Sequence, residues 1–440
     1  MRIFLIVWIG QFISLLGSKL SEFALALWAY QQVGSTTQVA VLVVLLYLPN
    51  ILISPFAGSL IDRCNRRWAM IFSDSLSGVC SIVALLLTVT GQLQLWHIYL
   101  GVPILSIAGA FQAPAYAAAI AQLVPRKHYG RANGMTEIPL AVSRILTPLL
   151  AALLLGIIKL QGVLLIDCLT FLTALVTLSI VRFPKLQTSQ TLKNSSVQQL
   201  GKEAIASWRY IRARAPLFRL WLFIIATYFT IGMFDIAFWL LVLKFGSATQ
   251  FGIVISAAGC GMLAGSMAMS AWGRPRRRVL GILKLTAFQG IVVIGLGLGV
   301  KLSLAVASLG AFLYLFADPI IMGANRAIWQ QQIPQELQGR VFAVLLMFQR
   351  GAMIPAYLIT GLLVDRVFEP LFATHPFWQN SLGKLLGNEP GTGICLFLML
   401  LGVAKLLLSA FAAQDALLRT AERPMHDLDA VARVNSPSGL

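Results

Sequence analysis

Charged residues are scarce in this sequence, and acidic residues are the scarcer kind. Only 11% of the 440 residues are charged, with 16 Asp and Glu against 34 Lys and Arg. A soluble globular domain carries about a quarter of its residues as charges. Here 58% of the residues are hydrophobic, and they recur in runs long enough to span a membrane as helices. The composition excludes an ordinary soluble domain and predicts a polytopic, all-α membrane protein.

The residue types that build metal sites and catalytic centres are also few. The five cysteines and four histidines are scattered along the chain, and their spacing matches no metal-binding pattern. No nucleophile stands beside a base in a recognisable motif. The sequence therefore predicts a protein that is not an enzyme and that holds neither a metal nor another cofactor.

The basic residues are concentrated in alternate loops. The loops at 63–67, 126–131 and 274–278 are rich in arginine, whereas 34–38 and 91–97 contain no Lys or Arg. Under the positive-inside rule, the arginine-rich loops and both termini are cytoplasmic. We therefore expect a multi-pass protein of the bacterial cytoplasmic membrane. The same distribution argues against a nucleic-acid partner, despite the net charge of +18.

The apolar runs divide into two groups of six. The sequence predicts four regions, which are a six-helix bundle at 1–182, a cytoplasmic linker at 183–215, a second bundle at 216–413 and a cytoplasmic tail at 414–440. Within the linker, Ile205, Trp208 and Ile211 share one face of a predicted amphipathic helix. Such a helix lies in the membrane interface. Its expected role is to tether the two bundles.

The two groups repeat one another in sequence. One constant offset relates Gln122, Pro125, Gly130 and Arg131 to Gln331, Pro334, Gly339 and Arg340. A weaker echo links G-S-L-I-D-R at 58–63 with G-L-L-V-D-R at 361–366. Repeated halves are how many transporters are built.

The segment 58–67 joins two apolar runs and has the sequence G-S-L-I-D-R-C-N-R-R. Gly58 allows another helix to approach closely, and Asp62 is placed to face the positive N-terminus of a neighbouring helix. The basic residues of this loop are Arg63, Arg66 and Arg67. The segment resembles the cytoplasmic gating loop of the major facilitator superfamily, roughly G-x-x-x-D-R-x-G-R-R/K, with Asn65 in place of the second glycine.

This resemblance implies a fold of about twelve transmembrane helices in two pseudo-symmetric six-helix bundles. In that fold, helices one, four, seven and ten surround a central cavity, and helices two, five, eight and eleven form the seam between the bundles. Three further segments look like the branch of macrolide efflux proteins and the enterobactin exporter. These are W-I-G-Q-F-I-S-L-L-G-S from Trp8, the Ala113-Pro114 step and G-R-A-N-G-M from Gly130.

The implied function is secondary active transport by alternating access. The expected substrate is a small amphipathic compound, such as a macrolide, peptide or siderophore, exported by proton antiport with no bound cofactor. The chain departs from many drug–proton antiporters because 104–121 contains no arginine; Gln112 is the main polar group there. The expected partners are this substrate and membrane lipid, with the protein acting as a single copy. The alternatives are lysolipid or lipid transport, and a sensor or assembly factor that transports nothing.

Ionisable residues inside the apolar runs are the candidates for a functional site, because inserting one into a membrane costs about 2.5–3.5 kcal/mol. In the implied architecture, Glu22, Asp235 and Asp318 lie in the cavity with Gln112, where an acid can exchange a proton. Arg144 and Arg350 lie at the seam between the bundles.

Simpler interpretations compete with these roles. Glu22 can merely neutralise Lys19, three residues away on the same helical face. Asp167 is expected near the outer surface as a hydrated acid without a special role. Several aromatic and methionine residues either line a pocket for a lipophilic ligand or pack in the interior. They are Trp28, Phe111, Tyr116, Tyr228, Phe234, Trp239, Tyr314 and Met322.

Overall fold

The structure is a computed structural model, and it describes residues 2–33, 35–61, 65–124, 129–181, 205, 208–272, 277–299, 303–333, 335–374 and 391–422. Within these ranges the chain forms helices joined by short turns, and no strand occurs. This confirms the predicted all-α fold class.

The first half of the chain forms six helices. They are α1 (Arg2–Val33), α2 (Thr36–Ile61), α3 (Arg66–Val89), α4 (Leu95–Leu123) and a continuous segment, Tyr129–Ile180, that contains α5 and α6. Lys159 divides this segment, because its φ of 59° and ψ of −176° lie outside the helical region. We call the part before it α5 (129–158) and the part after it α6 (160–180).

The second half also forms six long helices. They are α7 (Ala215–Phe245), α8 (Ala248–Trp272), α9 (Arg278–Gly299), α10 (Leu304–Gln332), α11 (Gln335–Leu363) and α12 (Thr392–Gln414). A π-helical turn, Val364–Phe368, continues α11 into a short helix, Glu369–Thr374. Another short helix, Ala416–Thr420, follows α12.

The helices are long and apolar enough to cross a membrane. Eleven helical segments of the described chain meet this condition by length and composition, and the one at Ile138–Ile180 includes parts of both α5 and α6. Dividing it at Lys159 gives twelve crossings in two six-helix bundles, as predicted. The chain is a multi-pass membrane protein.

Glycines allow helices within a bundle to pack closely. A side chain added at Gly261 or Gly265 of α8 would collide with the backbone of α10, at the carbonyl oxygens of Phe312 and Phe316. Likewise, α9 and α12 approach each other where Gly290 faces Gly402. Small residues have this role in membranes, where helices attract one another through close backbone contact.

Two helix pairs join the bundles, α2 with α11 and α5 with α8. On α11, Gly361 packs against the backbone of Thr37 on α2. In the other pair, the Ser256 hydroxyl donates a hydrogen bond of 2.6 Å to the carbonyl of Ile145. The structure thus confirms that helices two, five, eight and eleven form the seam.

The described end of the linker docks on the second bundle. The Trp208 ring lies 4.9 Å from Trp221 of α7 and 5.5 Å from Phe348 of α11, and Ile211 is fully buried. Ile205, which shares their predicted face, is 54% exposed. Part of the predicted apolar face therefore packs against the second bundle, and its position in the membrane interface stays a prediction.

Candidate functional site

A buried lysine lies at the centre of the second bundle. Lys405 of α12 has no exposed surface. Its Nζ donates two hydrogen bonds of 2.9 Å, one to Gln289 Oε1 on α9 and one to Tyr314 Oη on α10. Three helices therefore hold one cation in a fixed place.

Aromatic packing keeps Tyr314 in position beside this lysine. The Tyr314 ring stacks on Phe234 of α7 at 3.9 Å between centroids, and both side chains are buried. Gln289 also donates through Nε2 to the backbone carbonyl of Tyr314 over 3.1 Å. For Phe234 and Tyr314, the structure supports the interpretation as packing residues rather than as pocket lining.

Asp235 of α7 and Asp318 of α10 are half-buried, and their charges act on Lys405. The ion pairs found among the described residues do not include either acid. The Oδ1 atom of Asp318 is buried and has no hydrogen-bond partner. The two carboxylates are thus near the lysine without contacting it directly, and Asp318 has an acceptor site to spare.

Arginines from both bundles complete this charged region. Arg144 of α5 reaches across the seam and places its Nη1 2.7 Å from the sulfur of Met262 on α8. The charges of Arg144 and Arg350 both act on Asp318. The side chains of both arginines are exposed in the structure. The two residues predicted for the seam are therefore within electrostatic range of a predicted cavity acid.

Glu22 is paired with Lys19 in the structure. The Lys19 Nζ lies 2.5 Å from Glu22 Oε2, and the two side chains are 42% and 39% exposed. This is the simpler of the two interpretations offered by the sequence. A carboxylate with its own counter-ion three residues away is a weaker candidate for proton exchange than Asp318.

Gln112 contributes to a polar cluster that the sequence analysis missed in part. Its Nε2 donates to Asp74 Oδ1 of α3 and to Gln11 Oε1 of α1, each over 2.9 Å. Gln11 in turn donates to Asp74 Oδ2 over 2.8 Å. Gln112, predicted for the cavity, thus joins α1, α3 and α4 inside the first bundle.

The expectation for Asp167 was wrong. Its side chain is only 2% exposed and lies between helices rather than at a hydrated surface. The hydroxyls of Ser18 on α1 and Ser81 on α3 donate to its two oxygens over 3.1 and 2.7 Å. Asp167 therefore holds three helices of the first bundle together.

Asp74 and Lys405 were not among the predicted site residues, although both lie inside apolar runs. Both residues meet the criterion that identified Asp235 and Asp318, which is a charge inside an apolar run. A complete application of that criterion finds both. The partners of Lys405 come from two other helices, and no pattern in the sequence indicates them.

Comparison with known proteins identifies the family. Residues 7–357 match the family model described as Major Facilitator Superfamily. The chain belongs to this superfamily. The match covers the first bundle and the second as far as α11, and it agrees with the resemblance found in the gating loop.

Two macrolide efflux proteins share sequence with much of the chain. Macrolide efflux protein A of Streptococcus pyogenes is 27% identical over 374 residues, covering 83% of this chain and 90% of the relative. Macrolide efflux protein A of Enterococcus faecalis is 27% identical over 308 residues, covering 68% of this chain and 92% of the relative.

Solved structures of superfamily-type transporters share the fold. A bacterial homologue of the human lysosomal transporter Spinster, in an inward-facing and unoccupied conformation, aligns with a TM-score of 0.67 at 15% identity, covering 97% of each chain. The nucleoside transporter NupG aligns with a TM-score of 0.69 at 12% identity, covering 94% of this chain and all of NupG. At these identities the likeness concerns the fold alone.

The superfamily gating loop is described only in part. Arg67 donates from Nε and Nη2 to the carbonyls of Leu178 and Ser179, each over 2.7 Å, and so binds the C-terminal end of α6. The Nε and Nη1 atoms of Arg66 are buried without a partner. Asp62 and Arg63 lie outside the described residues, so their gating role stays a prediction.

Gly58 of the gating loop lies at a helix end, and the glycines and arginines of the repeat lie near helix starts. Gly58 is in the last turn of α2, and Gly130 and Arg131 are in the first turn of α5. Gly339 and Arg340 are in the second turn of α11. The surroundings of these side chains lie outside the described part of the chain, and their roles stay predictions.

Asp365, in the second copy of the weak echo, joins the two bundles at the N-terminus of α2. Its carboxylate accepts hydrogen bonds from the Ser35 and Thr37 hydroxyls over 2.9 and 2.8 Å. It also accepts from the backbone N–H groups of Thr36 and Thr37 over 3.2 and 2.8 Å. A helix N-terminus favours a negative charge. Asp365 thus makes on one side of the molecule the contact that the sequence predicted for Asp62 on the other.

Proposed function

We propose that this chain is a secondary active transporter that exports an amphipathic, drug-like compound by alternating access and proton antiport. The proposal places it in the bacterial cytoplasmic membrane with both termini in the cytoplasm. It acts as a single copy, and the proton gradient supplies the energy without a bound cofactor. The names of the two macrolide-efflux relatives support a macrolide-like substrate.

The arrangement around Asp318 is the observation that carries this proposal. Asp318 is half-buried inside a membrane bundle, and one of its carboxylate oxygens is buried without a hydrogen-bond partner. That oxygen can accept a hydrogen bond from a bound ligand. A proton or the cationic group of a substrate satisfies that oxygen, and one excludes the other. Competition between proton and substrate for one acid is sufficient for antiport.

Lys405 has a defined part in this scheme. Its charge offsets those of Asp235 and Asp318 while the site is empty, because ions in an apolar interior need a counter-charge nearby. Since the lysine does not contact either acid directly, a substrate or proton can approach the carboxylates without first breaking an ion pair. We rank Glu22 below Asp318 as the coupling acid because Lys19 already neutralises it.

The contacts between bundles support a state that is closed on one side. Asp365 meets the start of α2, and Tyr47 of α2 stacks on Tyr357 of α11 at 6.1 Å between centroids. The Asp365 contact lies beside the α1–α2 turn, on the side that the positive-inside rule predicts to be external, and Tyr47 lies about 16 Å further along α2. In an alternating-access cycle, these contacts break when the cavity opens to that side.

Transport into inside-out membrane vesicles tests the proposal. We expect radiolabelled erythromycin, a macrolide, to accumulate only when a proton gradient is imposed. Asp318→Asn should abolish gradient-driven accumulation but retain exchange of erythromycin across the membrane without a gradient. Asp415→Asn is the matched control, because Asp415 caps the short helix after α12, and it should transport normally.

Each other result contradicts part of the proposal. Accumulation that ignores the gradient rules out proton antiport, and an active Asp318→Asn variant rules out Asp318 as the coupling acid. Uptake of a labelled lysolipid in place of erythromycin indicates a lipid transporter. If neither compound moves while the protein is present in the vesicles, the sensor or assembly-factor alternative is favoured.

A further inference from the structure

The cluster of Asp74, Gln11 and Gln112 also holds a carboxylate inside the first bundle. Both Asp74 oxygens accept from amide groups, Oδ2 from Gln11 and Oδ1 from Gln112. The two glutamines are linked by a bond from Gln112 Nε2 to Gln11 Oε1. The cluster lies in the first bundle, between α1, α3 and α4, apart from the acids of the proposed transport site.

No cation pairs with Asp74 among the described residues. The titratable and charged groups on its own helix and on the helices packed around it are Arg2, Lys19, Glu22 and Tyr30 of α1, Arg66, Arg67 and Cys80 of α3, His97, Tyr99 and Tyr116 of α4, and Asp167 and Cys168 of α6. Arg2 lies about 13 Å from Gln11 along α1, and His97 lies about 22 Å from Gln112 along α4. Arg67 lies seven residues before Asp74, about 10 Å along the axis, and its guanidinium is bonded to α6 carbonyls. Lys19 is about 12 Å beyond Gln11 on α1 and pairs with Glu22.

The remaining neighbours do not supply a positive charge either. Asp167 has the same sign as Asp74 and is bonded to serine hydroxyls. Tyr116, one turn from Gln112 on α4, is neutral in its ordinary form. A carboxylate without a counter-ion in an apolar interior costs several kcal/mol, and neutral amide donors offset that cost only in part. Binding a cation such as a proton neutralises the Asp74 carboxylate and so removes this cost.

Gln112 can hydrogen-bond to the protonated form of Asp74 as well as to the ionised form. A protonated carboxyl group must donate its O–H to an acceptor. The Oε1 atom of Gln112 is buried and has no hydrogen-bond partner. A half-turn of this amide, which exchanges its oxygen and nitrogen, presents that acceptor to Asp74. The same side chain therefore satisfies both forms of the acid.

We propose that Asp74 is a proton-binding site of the first bundle, with Gln11 and Gln112 as the side chains that accommodate its charged and neutral forms. The site is distinct from Asp318 and lies on the other side of the seam. Because Gln11 and Gln112 belong to α1 and α4, proton binding changes the hydrogen bonds that join these helices to α3. The proton is thereby coupled to the packing of the first bundle.

Infrared difference spectroscopy of the purified protein, without substrate or gradient, tests this site independently of transport. Acidification of the unaltered protein should produce a carboxylic-acid C=O band from Asp74. That band should be missing from Asp74→Asn and retained in Asp167→Asn. The control is matched because Asp167 is another buried aspartate of the same bundle held by neutral donors.

Two results overturn the proposal. One is an identical band in Asp74→Asn, and the other is loss of the band in Asp167→Asn instead. Gln112→Leu gives a second test that leaves Asp74 in place, should Asp74→Asn fail to fold. The acid then lacks its acceptor, so the band should move to a higher stretching frequency with unchanged intensity. A band that does not move contradicts the role given to Gln112.

Discussion

A single lysine shows how strongly one residue can depend on its neighbours in a membrane bundle. Lys405 is fully buried, yet its ammonium has two hydrogen bonds and lies 4.6 Å from the centroid of the Tyr314 ring. A ring face attracts a cation, and the charges of Asp235 and Asp318 add to that attraction. None of these interactions alone offsets the burial of a charge, so the residue and its surroundings form one unit.

Replacing this lysine should destabilise the second bundle. Lys405→Met keeps the length of the side chain but leaves Gln289 Oε1, Tyr314 Oη and the nearby acids without their cation. Removing one partner of a buried charged group costs about 3–5 kcal/mol. We expect a lower midpoint of thermal unfolding, followed in detergent by tryptophan fluorescence.

The control for this prediction is Lys284→Met, because Lys284 is exposed on α9. Its midpoint should match that of the unaltered protein. Adding Asp318→Asn to Lys405→Met removes an unbalanced negative charge and should recover part of the loss. Equal midpoints for Lys405→Met and Lys284→Met would show that the buried lysine is not needed for stability.

At the scale of helices, close contact between α8 and α10 depends on two glycines. The backbone of α10 occupies the space where a side chain at Gly261 or Gly265 would be. Gly261→Val forces the helices apart, and overpacking of this kind costs about 1–3 kcal/mol. We expect less folded protein and a lower unfolding midpoint. Gly295→Val on α9 is the control, since a side chain there meets nothing within 4 Å. Similar losses in both variants would refute the contact as the cause.

The helices themselves were predictable from the sequence, whereas their contacts were not. Long apolar runs must form helices in a membrane, because only helices satisfy their own backbone groups there. The six apolar runs predicted for the first half agree with the division of Tyr129–Ile180 into two helices at Lys159. The α12 helix, however, is apolar around most of its surface, and the interior of the bundle is as apolar as lipid. Nothing in the sequence therefore shows that Lys405 meets Gln289 and Tyr314.

Part of the candidate site was predictable, because an ionisable residue inside an apolar run is easily recognised in the sequence. Asp318 and Arg144 were found in this way, and the structure brings their charges within range of each other. Asp167 was misplaced because its serine partners lie on α1 and α3, far from it in the sequence. The contact of Asp365 was missed because a carboxylate at one helix end does not reveal which N-terminus it caps.

At the scale of the whole molecule, Asp365 links the two bundles on one side. Four hydrogen bonds connect its carboxylate to Ser35, Thr36 and Thr37. A hydrogen bond to a charged group is worth about 1.5–3 kcal/mol. Asp365→Asn should therefore favour opening of this side by roughly tenfold to a hundredfold.

Thiol labelling measures this opening. Tyr357, buried where it stacks on Tyr47 across the seam, is changed to cysteine in a protein without its native cysteines. A membrane-impermeant maleimide added to the side of the α1–α2 turn should label it faster in Asp365→Asn. Asp415→Asn, which removes a helix-capping acid within one half, should leave the rate unchanged. Equal rates in both variants would show that Asp365 does not hold this side closed.

The sequence echo relates Asp365 to Asp62, which is predicted to lie on the opposite side of the membrane. Asp62 follows α2 as Asp365 follows α11, and we predict that it meets the N-terminus of α11 when the protein opens toward the α1–α2 turn. Such a contact is worth about 0.3–1 kcal/mol when exposed and up to about 2 kcal/mol when partly buried. Asp62→Asn should then slow the labelling of Tyr357→Cys and lower transport, with expression and substrate binding largely intact.

Effects at distant, independent sites add, so Asp62→Asn combined with Asp365→Asn should return the labelling rate toward that of the unaltered protein. Full transport together with an unchanged labelling rate in Asp62→Asn would refute the paired contacts, because two opposed contacts can set one equilibrium only if removing either one shifts it.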